Sequence, residues 1–284
     1  VFSSNIFRSL TDSKMLQIIF FGILFGAVLS IIPKEKAKPV MDLVEGLNEV
    51  FVKMVMVIMK AMPFFVFALM AGQIVKAAGS DPNKFTELMK FYLWYGGVVI
   101  AGLVTMAFIF YPIIVKIFTG LGFRKFLRSV KDAQITAFST SSSVATLPVT
   151  MGCLENNLKV SKSTTSFVLP IGATVNMDGT SLYQGIAVVA LAQFHMVDLS
   201  ILQQLIIVGT ATLASIGAAA IPSAGLILMM VVLESVGLNP LWIAIIFPID
   251  RILDMCRTVV NVTGDASVAA IIAYSENEIN SVDD

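Results

Sequence analysis

From Pro240 to Tyr274 the chain reads PLWIAIIFPIDRILDMCRTVVNVTGDASVAAIIAY, an apolar run long enough to cross a membrane that nevertheless carries Asp250, Asp254, Arg257, Thr258, Asn261 and Asp265. About 20 residues span the hydrocarbon, and each ionised group at the centre of such a helix costs roughly 2.5 to 3.5 kcal/mol on insertion scales. Three aspartates and an arginine must therefore face protein, water or ligand. Their spacing puts them on one broad face of a helix. A fold that contains this segment has to bury that face against other parts of the same protein.

The rest of the chain agrees. With 57% hydrophobic and 13% charged residues over 284 positions, the composition is that of an all-α polytopic membrane protein, because a spanning backbone must satisfy its own hydrogen bonds. The alternation of a membrane barrel is absent. A formal net charge of zero gives no reason to expect nucleic acid. The positive charges are grouped instead: Lys34, Lys36 and Lys38 in PKEKAKP, then Arg124, Lys125, Arg128 and Lys131, then Lys159 and Lys162. If helices alternate, these loops share one face, which the positive-inside rule assigns to the cytoplasm, so the chain is expected to be multi-pass in the cell inner (plasma) membrane. Cys153 and Cys256 read as small thiols in apolar surroundings, with no disulfide framework. No signal peptide or targeting tail is visible, and the opening VFSSNIFRSLTDSK reads as a chain that has lost its beginning.

Apolar stretches near 15–32, 50–77 and 89–118 are long enough to be ordinary transmembrane helices. Lys60, inside the second, reads as snorkelling to an interface. After Lys131 the apolar runs are interrupted by Ser, Thr, Gly, Asn and Asp. Two interruptions resemble each other, TSSSVATLP at 140–148 and ASIGAAAIP at 214–222. At the same distance beyond each closing proline the chain turns polar again, at Asn176 after Pro148 and at Asp250 after Pro222. Interrupted apolar segments in corresponding positions of two halves point to a transporter's binding site, since irregular backbone at membrane depth survives only inside protein or along a cavity. Either run alone also fits a small-residue packing surface between helices.

The segment LPIGATVNMDGTSLYQG, with Gly172, Thr174, Asn176, Asp178, Thr180 and Gln184, cannot be a plain helix interior, because Asn, Asp and Gly are poor helix formers. An unwound turn there frees carbonyls, and carbonyls with a carboxylate suit a hard cation. Asn261 and Asp265 add a second amide and carboxylate. Oxygen ligands without His or Cys favour an alkali or alkaline-earth ion, with Na⁺ as the coupling ion and a proton on a buried Asp as the alternative. Arg257 either pairs internally with Asp250 or Asp254, or holds a substrate carboxylate while Asp254 takes a substrate ammonium. Serines 141–143 would then offer hydroxyls and backbone N–H groups to a second carboxylate. His195 has no metal-ligand companion, and nothing in the chain calls for an organic cofactor.

In that order and spacing, SSSVATLPVT, LPIGATVNMDGTSLYQG, ASIGAAAIPSAG and DRILDMCRTVVNVTGD closely resemble the dicarboxylate/amino acid:cation (glutamate/aspartate) symporter family. The resemblance implies an inverted-repeat elevator transporter, a homotrimer in the lipid bilayer in which each subunit has a fixed scaffold and a mobile transport domain that carries an acidic amino acid. It implies two re-entrant hairpins and broken seventh and eighth helices. Residues 1–80 would hold the end of the fourth helix and the fifth, as part of the scaffold. Residues 81–284 would form the transport domain: the sixth helix, the first hairpin at 124–155, the seventh helix at 162–193, the second hairpin at 199–234 and the eighth helix at 241–274. Substrate contacts would fall on Ser142, Ser143, Thr180, Ile221, Asp254, Arg257, Thr258 and Asn261. One sodium site would use Gly172, Asn176, Asn261 and Asp265, another Thr174, Ser215 and Ile216, and a third Asn176 and Asp178. The first three transmembrane helices of the family are missing, which makes the chain a fragment on this reading.

Some positions depart from the family pattern. Ala220 stands where a glycine is usual at the second hairpin tip, Ser141 where archaeal members often carry arginine, and Gln184 where animal glutamate transporters have a protonatable Glu. Arg251 is then the candidate second basic group near the substrate. The short loops and brief acidic tail suggest a bacterial-type member.

The expected function is a Na⁺-coupled symporter of an acidic amino acid, aspartate or glutamate, and no enzyme. A C4-dicarboxylate symporter has no use for Asp254, and a neutral amino acid carrier leaves Arg257 without a substrate partner. A proton-coupled glutamate symporter stays open. From another class, an intramembrane aspartyl protease would need Asp178 and Asp254 as a dyad sharing a proton. A passive anion conductance is conceivable as a side activity.

Overall fold

The computed structural model describes residues 5–11, 15–61, 64–65, 67–68, 71–72, 75, 82–218 and 223–278. Every element among them is helical. The chain divides into two compact units, Val1–Gly72 and Gln73–Asp284.

The first unit contains α1 (Ile6–Thr11), α2 (Met15–Ile31) and α3 (Lys34–Met59). The Ser9 hydroxyl donates to Gln17 Oε1 at 2.7 Å and ties α1 to α2. Helix α2 covers most of the apolar stretch at 15–32 and leaves Phe21, Ile23, Leu24 and Val28 exposed. Two expectations fail here. The lysine cluster at 34–38 is not a loop but the opening of α3, because Pro33 at the N-cap, with φ −53°, presets the backbone for the helix that follows. Nor is 50–77 one span: α3 ends at Met59 and turns at Lys60 and Ala61. Pro63 follows in the sequence and disfavours helical backbone just before it. Most of the remainder of that stretch lies outside the described residues.

In the second unit, α4 (Pro82–Thr105) runs through a π-turn at Met106–Phe110 into α5 (Tyr111–Thr119). Within this rod lies Phe85–Thr119, which among the described residues is the one helix long and apolar enough to cross a membrane. Gly120, at φ 72°, closes it in the left-handed conformation that glycine tolerates. Next come α6 (Phe123–Thr140) and α7 (Ser143–Asn157), joined by Ser141 and Ser142. Then α8 (Lys162–Val175) and α9 (Asp178–Phe194) follow, separated by two non-helical residues, Asn176 and Met177. The interruption read at NMDGT is thus real and narrower than the motif. Helices α10 (Ile201–Ile216) and α11 (Ala224–Ser235) make the second pair. Ala220 and Ile221, between them, lie outside the described residues.

The chain ends in a 3-10 turn, Pro240–Trp242, and α12 (Ile243–Ser275). The break expected in the eighth helix is absent: α12 is continuous over 33 residues. Its polar middle, DRILDMCRTVVNV, contains neither Gly nor Pro, and its charged side chains pair mainly with one another, joined by the Tyr183 hydroxyl and the Ser223 N–H, without the backbone opening. Pro248, the sixth residue of α12, lies inside the helix and withdraws one i→i−4 hydrogen bond, to the Ala244 carbonyl, without ending it.

Helix α12 is the centre of this unit and packs against α4 to α9 and α11. Ala266, Ala269, Ala270 and Ala273 form a small-residue stripe on its C-terminal half, which lets Val115 of α5, Phe126 and Val130 of α6, Leu154 of α7 and Leu169 of α8 close around it. Near its start, Trp242 stacks on His195 with ring centroids 3.7 Å apart, which fastens the turn after α9.

Candidate functional site

Two polar clusters lie on α12 about two turns apart, and each is completed by the broken α8/α9 segment or by the helix pairs. The first surrounds Arg257, which is buried. One nitrogen, Nη2, bonds both Asp254 Oδ1 at 2.6 Å and Asp250 Oδ1 at 3.1 Å. The guanidinium carbon lies 3.9 Å from the centroid of the Tyr183 ring, and the Tyr183 hydroxyl donates to Asp250 Oδ1 at 2.9 Å. The internal pairing weighed from sequence is therefore present with both aspartates. It does not use up the guanidinium, because Nε and Nη1 are buried without a hydrogen-bond partner among the described residues. Nη1 lies toward Gly225, where a Cβ would come within 3.0 Å of it and 2.6 Å of Thr180 Cγ2. Gly225 is thus a close approach of α11 to the guanidinium, a place where a side chain would collide.

Asp254 has a second partner that sequence did not disclose: its Oδ2 accepts the backbone N–H of Ser223 at 3.0 Å, at the start of α11. Arg251 Nη1 stands 3.6 Å from the same oxygen. Thr258 is buried, with its hydroxyl donating to Asp254 O at 3.0 Å. Thr180 is buried beside Gly225. Ser142 caps α7, its side chain accepting from the Ala145 N–H at 3.2 Å, and Ser143 is buried in the first turn of that helix. Ser141, at φ 52°, is buried with its hydroxyl unpartnered. Gln184, also buried, donates from Nε2 to Gly225 O at 2.8 Å and so links α9 to α11.

The second cluster lies at the break between α8 and α9. Asn176 Nδ2 donates to Asp265 Oδ1 at 2.9 Å and to Asn261 O at 3.3 Å. The Gly179 N–H donates to Asn261 Oδ1 at 2.8 Å. Gly172 faces Asp265 so closely that a Cβ would come 2.6 Å from Oδ1. Asp178 accepts the hydroxyl proton of Tyr111. Gly172, Asn176, Asp178, Asn261 and Asp265 are thereby gathered into one set of hard oxygens and amides around freed backbone, a donor set that fits an alkali cation, with the Met177 thioether, which accepts from Asn261 Nδ2 at 3.2 Å, as a soft atom beside it. Thr174, Ser215 and Ile216 form no such cluster: Thr174 is exposed and bonds Ile171 O at 3.0 Å, and the Ser215 hydroxyl bonds Thr212 O at 2.9 Å. They do occupy the last turns of α8 and α10, two helices in contact whose final carbonyls have no partner within the helix.

Tyr111, Tyr183 and the close-approach glycines at 179, 225 and 264 were missed by sequence reasoning. The two tyrosines left a signal, a polar-tipped aromatic inside an apolar run at FYP and at LYQG. The dyad required by a protease is absent, since Asp178 is bound to Tyr111 whereas Asp254 is bound to Arg257 and Ser223.

Residues 1–275 match the family model described as the sodium:dicarboxylate symporter family. The chain belongs to that family. It is a family of membrane transporters, not enzymes, which agrees with the helical build and overturns the protease alternative. The chain is 40% identical over 271 residues to an excitatory amino acid transporter of Caenorhabditis elegans, covering 95% of this chain and 53% of the relative. It is 41% identical over 274 residues to excitatory amino acid transporter 1 of Ambystoma tigrinum, covering 94% and 48%. It is 40% identical over 271 residues to excitatory amino acid transporter 2 of Homo sapiens, covering 95% and 46%. The chain spans about half the length of the curated relatives it matches.

Proposed function

We propose that the protein is a secondary active symporter that couples Na⁺ entry to uptake of an acidic amino acid, aspartate or glutamate. The observation that carries this reading is Arg257: a fully buried guanidinium with two uncommitted nitrogens, next to an aspartate. An unsatisfied buried donor is costly, and a carboxylate that accepts from both nitrogens removes the cost, with charge-assisted bonds. In this reading Arg257 binds the acidic side chain and Asp254 exchanges its present partners for the substrate ammonium. Thr180, Thr258, Asn261, Ser142, Ser143 and Ile221 complete the substrate shell. Sodium is held at Gly172, Asn176, Asn261 and Asp265, at Asn176 with Asp178, and at the helix ends carrying Thr174, Ser215 and Ile216. When bound, it supplies positive charge to a site rich in aspartates, while the chain's own residues orient the substrate.

The α6–α7 and α10–α11 pairs act as re-entrant hairpins in an elevator-type transport domain spanning 81–284, with 1–80 belonging to the scaffold of a homotrimer in the plasma membrane. Gln184, which is already a neutral hydrogen-bond donor to Gly225 O, supports coupling without a proton at that position.

The test is uptake of radiolabelled L-aspartate by the full-length protein in liposomes. Uptake is expected with an imposed Na⁺ gradient and not with a proton gradient alone. Uptake driven only by protons would overturn the ion assignment, and uptake blocked by succinate but not by L-aspartate would overturn the substrate assignment in favour of a C4-dicarboxylate.

A further inference from the structure

The polar cluster at the α8/α9 break has one contributor from a different part of the chain, Tyr111 on α5. Pro112, which follows it, lacks an N–H, and in an α-helix its ring would press on the carbonyl of Phe108. The wider π-turn at Met106–Phe110 relieves that clash. Inserting one residue also turns all later side chains by about 100° around the helix axis. The buried Tyr111 ring is consequently aimed at the break, and its hydroxyl donates to Asp178 Oδ2. Helix α12 leaves room for this. At Gly264 a Cβ would come 2.7 Å from the Tyr111 hydroxyl oxygen and 2.6 Å from Asn176 Nδ2. Three separate features therefore converge on a single phenol: a helix defect, a glycine gap and a carboxylate acceptor. A hydroxyl needing only a partner could have used a carbonyl of its own surroundings, without the defect or the gap.

We propose that Tyr111 is a positioning residue of the cation site, holding the Asp178 carboxylate by Oδ2 so that Oδ1 is presented to Na⁺ in a fixed orientation. This rests on the sodium reading of the Asn176–Asp178 cluster. The π-turn is then part of the site, since it sets the direction of the phenol.

The experiment titrates NaCl against choline chloride at constant ionic strength on the purified full-length protein, reading thermal stabilisation for wild type, Tyr111→Phe, Asp178→Asn and the double variant. The expected result for Tyr111→Phe is Na⁺ affinity lowered about tenfold, in line with loss of one hydrogen bond to a carboxylate. L-Aspartate affinity at saturating Na⁺ should stay within about twofold, and the double variant should be no worse than Asp178→Asn alone. Pro112→Ala keeps the phenol but removes the cause of the π-turn, and it should weaken Na⁺ as well; it is read in the same way if the Phe variant does not fold. Unchanged Na⁺ affinity in Tyr111→Phe, with weakened affinity in Asp178→Asn, overturns the role of Tyr111 alone. Unchanged affinity in Asp178→Asn overturns the sodium reading on which it rests.

Discussion

Substituting Gly172 by alanine separates the energetics of the fold from those of the ion site. The new Cβ would lie 2.6 Å from Asp265 Oδ1 and 3.0 Å from its Cγ, so the carboxylate must turn away. That movement breaks the bond from Asn176 Nδ2 to Asp265 Oδ1, now 2.9 Å long. A hydrogen bond to a charged group is worth about 1.5 to 3 kcal/mol. Alanine in place of glycine in a helix returns about 1 kcal/mol. Folding stability should therefore fall by only about 0.5 to 2 kcal/mol. Sodium affinity gains nothing from helix propensity and should fall by the full amount, about 10- to 150-fold. The assay is a Na⁺ titration of the full-length protein, followed by thermal stabilisation, next to melting without Na⁺. A variant that melts lower in choline while its Na⁺ midpoint stays within twofold of wild type would refute the argument that Asp265 must hold its present position to bind the ion.

Arg257→Lys keeps the charge but gives up the planar guanidinium that stacks on Tyr183 and, with Nε and Nη1, offers a two-pronged site to a carboxylate, so affinity for acidic amino acids should fall by about tenfold or more, with neutral competitors affected less; competition uptake measures this. Gln184→Leu removes the bond from Nε2 to the Gly225 carbonyl, which keeps its place in the α11 ladder, and should destabilise the full-length protein by about 0.5 to 1.5 kcal/mol, read by denaturation. At the C-terminal end, the Glu278 carboxylate accepts from the hydroxyls of Ser161 and Thr164 at the start of α8, and those bonds hold its pKa below the usual glutamate value. Because the folded value is the lower one, this tether is complete above the ordinary pKa and is lost as pH falls through the folded value. The hydrogen-exchange protection factors in the first turn of α8 should fall on acidification in wild type, and should already be lower at neutral pH in Glu278→Gln.

Much of the site was legible because membrane depth makes polar residues conspicuous. Asp254, Arg257, Asn261 and Asp265 had to face protein, and they do. The poor helix formers of NMDGT marked a break, and it falls at Asn176 and Met177. What sequence could not settle was how each charge would be satisfied. On α12 the charges satisfy one another, Arg257 with Asp250 and Asp254, so the backbone stays closed where a second break was expected. On α8 the partners include freed backbone, so the helix opens. Tyr111 stayed hidden because its role depends on a one-residue change of helical register, to which hydrophobic periodicity is nearly blind. The contact between Asp254 and the Ser223 N–H depends on a left-handed backbone at Ser223, a conformation that serine does not advertise.

The unbroken course of α12 works as a ruler. Arg257 and Asp265 are eight residues apart on it, about 12 Å along the axis at 1.5 Å per residue. No rearrangement that keeps the helix intact can bring the Arg257 end and the Asp265 end closer together. On the proposed reading, coupling between substrate and Na⁺ then runs sideways, through the two-residue joint at Asn176–Met177 and the contact at Ser223, while the helix fixes the separation of the two sites.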